Sequence, residues 1–114
     1  MKKPKKKNFI KNDAWILKNN RTLTNSYISI ALTNMEYRIL DLLARHLHPV
    51  ISTHSIIEHL KKEPDQYKGL FMSISRLQRK FKSASNGERL IISVRNRGYC
   101  LTQKIIIDTD QLKN

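Results

Sequence analysis

LIISVRNRGYCL, running from Leu90 to Leu101, is the stretch that decides the fold. Two apolar runs of strand type flank a tight polar turn, Arg95-Asn96-Arg97 before Gly98, which reads as a β-hairpin. Closing such a turn requires residues that tolerate a positive φ, a role Asn and Gly fill. Arg95 and Arg97 are surplus to that requirement, so the hairpin tip carries two cations for another purpose.

Immediately upstream, Ser83-Ala84-Ser85-Asn86-Gly87 reads as a loop. Before it, a helix is predicted from about Gln66 to Lys82. Leu70, Ile74, Leu77 and Phe81 fall at i, i+4, i+7 and i+11, a narrow apolar arc at ~100° per residue. The opposite arc holds Met72, Ser75, Arg76, Arg79 and Ser83, with Lys68, Ser73 and Lys80 towards its edges. No carboxylate interrupts that face, whereas a helix serving only as a solvated lid intersperses Glu for i,i+4 pairing.

Further out, Glu63-Pro64-Asp65 breaks a second helix predicted over Thr53–Lys62, capped by Ser52 and apolar at Ile56, Ile57 and Leu60. Val50-Ile51 is a short extended link. LTNMEYRILDLLARHL opens the first helix, where Thr33 and Glu36 form a capping box. Ile39, Leu40, Leu43 and Leu47 recur at helical spacing until Pro49. Short β segments are predicted near Trp15–Leu17, Thr22–Thr24 and Tyr27–Leu32, the last with Ile28, Ile30 and Leu32 alternating with small residues. The fold class expected is α+β: a short N-terminal antiparallel sheet, three helices and a C-terminal hairpin.

The chain has 114 residues and a net charge of +13, enough for one modest domain. Residues 1–12 hold six Lys and no acid, residues 13–66 balance six bases against six acids, and residues 67–104 hold nine bases against Glu88 alone. Charge segregated in this way suits a polyanion rather than general solubility. The boundaries expected are a disordered basic arm over 1–12, a folded domain over 13–104 and a C-terminal tail over 105–114. The arm leaves three readings open: a solvated tail, a segment tracking phosphates, or one drawn to an anionic membrane surface. Cys100 is the only cysteine, so no internal disulfide forms and a reducing cytoplasm is expected. No run is long enough to span a membrane. His46, His48, His54 and His59 match no zinc spacing, so neither metal nor cofactor is expected. Trp15 and Phe71 read as packing residues. A glycine-rich phosphate loop, a nucleophile elbow and paired carboxylates are all missing, so the chain is not expected to be an enzyme or to take a small-molecule substrate.

These features together resemble the winged helix-turn-helix domain of the OmpR/PhoB type, including its ToxR-like members, across Trp15 to Thr102. The resemblance rests on Leu32-Thr33 with Glu36, matching the family's LTxxE opening. It rests also on LFMSISRLQRKF as the recognition helix, and on SVRNRGYCL, matching the TVRGxGYxL closing hairpin, or wing. The family places its third helix in the major groove of duplex DNA and its wing in the adjacent minor groove.

By resemblance, Met72, Ser73, Arg76 and Arg79 face the groove, and Arg76 is expected to read guanine through two hydrogen bonds. Ser75, Arg79 and Lys80 are expected on phosphates. Ser93, Arg95, Asn96 and Arg97 belong to the wing, with Arg95 in the minor groove and Arg97 either on a phosphate or in the groove. Ser52 or Thr53 could offer backbone N–H groups to a phosphate. Asn96 departs from the family's glycine in the wing turn, Lys61 from a tryptophan, and Gln78 from an arginine, which removes one phosphate contact.

The resemblance implies a sequence-specific transcriptional regulator, nucleoid-associated, with promoter or operator DNA as its partner. RNA polymerase and a second copy on tandem half-sites are further partners it suggests. Nothing in the chain matches a receiver domain, and QKIIIDTDQLKN at the end is no membrane span. The chain is thus either a stand-alone regulator or a piece of a longer one. The alternative is a non-catalytic adaptor, or a non-specific RNA- or DNA-binding module, on the same scaffold.

Overall fold

The computed structural model describes residues 14–60 and 67–108. The basic arm, Lys61 and the break at Glu63-Pro64-Asp65 lie outside them. The N-terminal sheet is built from β1 (Trp15–Lys18), β2 (Thr22–Thr24) and β3 (Ser29–Ala31). It is antiparallel through these three strands. Trp15, Leu17, Leu23 and Ile30 fill its inner face at 4% exposure or less. The third strand is shorter than the predicted Tyr27–Leu32 because the Asn25 carbonyl Oδ1 accepts the backbone N–H groups of Tyr27 and Ile28. Those donors are spent on the turn and cannot join the ladder.

Three helices follow: α1 (Asn34–Arg45), α2 (Thr53–His59) and α3 (Tyr67–Ala84). The capping box that starts α1 is formed in full, with Glu36 N–H donating to Thr33 Oγ1 and Thr33 N–H donating to Glu36 Oε1. The helix stops at Arg45 rather than running on towards Pro49, and Leu47, expected in the apolar stripe, is fully exposed. His46 leaves helical geometry with ψ 135°, and its Nδ1 accepts the N–H of His48. His48 precedes Pro49, which disfavours helical backbone there.

Ser52 caps α2 by accepting from Ser55 N–H at 3.0 Å, while Ile56, Ile57 and Leu60 are buried. The helix closes on Leu60, whose carbonyl accepts from Arg38 Nη2.

Leu70, Ile74, Leu77 and Phe81 bury the predicted stripe of α3, and Phe81 meets Trp15 edge-on with ring centroids 4.9 Å apart. This helix extends two residues into the predicted loop. Its stop comes only at Asn86, with φ 70°, where Gly87 N–H returns to the Lys82 carbonyl. That is a Schellman closure around an αL residue, and Ser83 and Ala84 offer no reason to end earlier. Phe71, expected to pack, is instead 61% exposed.

The C-terminal hairpin pairs β4 (Ile91–Val94) with β5 (Gly98–Leu101). Beyond it, the expected tail holds a strand: β6 (Ile105–Ile107) runs parallel to β1 and becomes the fourth strand of the N-terminal sheet. Trp15 N–H donates to the Lys104 carbonyl and Asp108 N–H to the Leu17 carbonyl, securing both ends. An isoleucine triplet is a strong strand former, and without β6 the edge of β1 would be left unpaired. The folded unit therefore extends past residue 104.

Candidate nucleic-acid interface

Two elements project cations from one framework. The outward face of α3 exposes Met72, Arg76 and Arg79, with Ser73 and Ser75 half-buried beside them. The tip of the wing exposes Ser93, Arg95, Asn96 and Arg97. Asn96 adopts φ 62°, and Arg97 N–H closes the turn onto the Val94 carbonyl at 2.9 Å. A positive φ at the third turn residue is what a type II turn requires, and asparagine tolerates it. Among the described residues, the guanidinium groups of Arg76, Arg79, Arg95 and Arg97 have no side-chain hydrogen bond or ion-pair partner.

The wing is fastened to the helices at two points. Ile51, just before α2, exchanges backbone hydrogen bonds with Tyr99, each 2.9 Å. The approach is so close that a Cβ on Gly98 would lie 2.0 Å from the Ile51 carbonyl oxygen. On the other side, Gln78 of α3 accepts the N–H groups of both Leu90 and Ile91 through one oxygen, each at 2.8 Å. The sequence had suggested only that Gln78 deletes a phosphate contact; its side chain instead ties the wing root to α3. Arginine, which carries no acceptor, could not make this tie. An uncharged acceptor on the wing-ward side of a basic helix was the available signal.

Lys80, expected on a phosphate, has partners within the fold. Its ammonium donates to Glu36 Oε1 at 2.7 Å and to the Ala31 carbonyl at 2.9 Å. Two of its three donors thus serve the fold, joining α3 to the capped start of α1 and to β3. Glu36 is 3% exposed, and a buried carboxylate needs such a partner.

Between the wing and the start of α2 lies an open cleft of about 330 Å³, lined by Ser52, Thr53, His54, Ser93, Asn96 and Arg97 among others. Among the described residues no group of His, Cys, Asp and Glu could hold a metal ion, and no helix is long and apolar enough to cross a membrane.

Residues 28–101 match the family model described as "Transcriptional regulatory protein, C terminal". The chain belongs to this family. It carries an OmpR/PhoB-type DNA-binding domain, the winged-helix domain of bacterial transcriptional regulators. It is 34% identical over 77 residues to the two-component response regulator PhoP of Pseudomonas aeruginosa, covering 66% of this chain and 34% of the relative. The chain thus spans about a third of that relative's length. Among solved structures, the C-terminal domain of the nisin resistance regulator NsrR superposes with a TM-score of 0.67 at 27% identity, covering 77% of this chain and 90% of that one. The DNA-binding domain of Escherichia coli CadC has the same fold, with TM-score 0.63 at 22% identity and coverage of 73% and 79%. So does that of Klebsiella pneumoniae RstA, solved in complex with the RstA box, with TM-score 0.58 at 24% identity and coverage of 72% and 83%.

Proposed function

We propose that this domain is a sequence-specific regulator that reads duplex DNA with α3 in the major groove and the wing in the adjacent minor groove. The observation that carries the reading is the set of four guanidinium groups left without partners among the described residues, on two elements fastened together. Arg76 takes guanine O6 and N7. Met72, Ser73 and Ser75 line the groove, and Arg79 holds a phosphate. Arg95 enters the minor groove, where negative potential draws a guanidinium. Ser93, Asn96 and Arg97, facing the cleft with Ser52 and Thr53, seat the intervening phosphodiester strand. The RstA DNA-binding domain, of the same fold and solved in complex with the RstA box, supports DNA as the ligand here. Two copies on neighbouring half-sites of a promoter, with RNA polymerase as a further partner, complete the proposal.

The test is competitive binding of an operator selected from a random duplex pool against a scrambled duplex. A specific reader loses ~1–3 kcal/mol per mismatched pair, and Arg76→Ala abolishes that discrimination at the guanine it takes. A polyanion-binding module treats both duplexes alike and responds only to salt; that outcome would replace the proposal.

A further inference from the structure

Phe71 and Met72 stand 61% and 49% exposed on α3. Met72 belongs to the groove face already described, but Phe71 has no role there. It shares a row with Ser75, Gln78 and Lys82, at i+4, i+7 and i+11. Gln78 in that row grips the wing root, so Phe71 occupies the wing-ward margin of the reading surface.

A lone exposed apolar residue needs no explanation. Phe71 differs in its company: it adjoins an exposed Met, and α3 carries hydroxyls and cations but no carboxylate. A protein-docking patch has a polar rim around a larger apolar centre, and a membrane-seeking helix has a broad apolar face. A narrow apolar spot set among arginines suits a surface that is anionic at its walls and apolar at isolated points on its floor. The major groove is such a surface, and the apolar points are the C5-methyl groups of thymine.

We propose that Phe71 reads thymine by packing its ring against the C5-methyl group of a base in the major groove. This rests on the function proposed above and narrows it: the operator carries thymine at a fixed position. Phe71 and Arg76 are five residues apart, about 7.5 Å along the helix axis. The thymine therefore lies roughly two base pairs from the guanine that Arg76 takes.

The experiment uses the full chain to select an operator from random duplexes. Each thymine is then replaced singly by uracil, which removes only the methyl group, and dissociation constants are measured for wild type and Phe71→Ala. At one position the wild type is expected to weaken about fourfold, the worth of one buried methyl group, while Phe71→Ala binds both duplexes equally. Because Phe71 is exposed, its alanine variant should keep the wild-type thermal midpoint; were it not to fold, Phe71→Leu serves for the comparison. Uracil substitution that costs nothing anywhere, or costs the variant as much as the wild type, overturns the assignment while the regulator reading stands. A pool yielding no enriched sequence removes both.

Discussion

Gln78 and Lys80 stand two residues apart on α3, yet each performs a task the residue type alone does not announce. Gln78 satisfies two backbone donors at the wing root, and Gln78→Leu should leave them unpaired, costing about 2–4 kcal/mol. Urea unfolding measures that loss, and a variant as stable as wild type would show that water replaces the amide. Lys80→Met removes the partner of a carboxylate that is itself buried, so about 1–2 kcal/mol should be lost. DNA affinity in the same variant should keep its dependence on salt. Arg79→Gln should do the reverse, leaving stability intact and lowering the salt slope by about one. Equal slopes for Lys80→Met and Arg79→Gln, both below wild type, would return Lys80 to the interface.

At the level of elements, the wing and β6 make separate predictions. Gly98→Ala places a methyl group 2.0 Å from the Ile51 carbonyl oxygen. The wing should detach, and DNA affinity should fall at least about tenfold, the loss expected when Arg95 no longer reaches the minor groove. Tryptophan fluorescence of Trp15, buried against Phe81, should report an intact core in the folded protein. Deleting residues 105–114 removes β6 from the sheet and should cost roughly 1–3 kcal/mol through lost burial of Ile105 and Ile107, read as a lower thermal midpoint. The main elements were legible in the sequence because their signals are local. The Thr33–Glu36 box, the Leu70–Phe81 stripe and the Arg95–Gly98 turn each lie within one short window. Strand β6 was not legible, since its pairing with β1 spans the length of the domain and three isoleucines alone do not name a partner. The exposure of Phe71 was hidden for a related reason: an aromatic beside a core stripe looks like packing until the neighbouring elements are in place. Leu47 misled because its spacing continued the helix of Leu43 while the backbone turned away at His46.

Across the whole molecule, the proposed DNA-facing cations should set how binding responds to its surroundings. If Arg79, Arg95 and Arg97 each displace a counterion, the logarithm of affinity should fall with the logarithm of salt with a slope of about −3. A steeper slope in the 114-residue chain than in one lacking residues 1–12 would assign the excess to the lysine arm. The two fastenings of the wing, at Ile51 and at Gln78, have a consequence for the DNA itself. In the proposed binding mode they set the span between the point where α3 enters one groove and the point where Arg95 enters the next. In that mode the domain acts as a caliper of fixed opening, and it should measure duplex pitch as well as base identity. One base pair inserted between the two contact points moves them apart by about 3.4 Å and rotates one against the other by about 35°. A hinged reader would follow that displacement; this one has to surrender a groove.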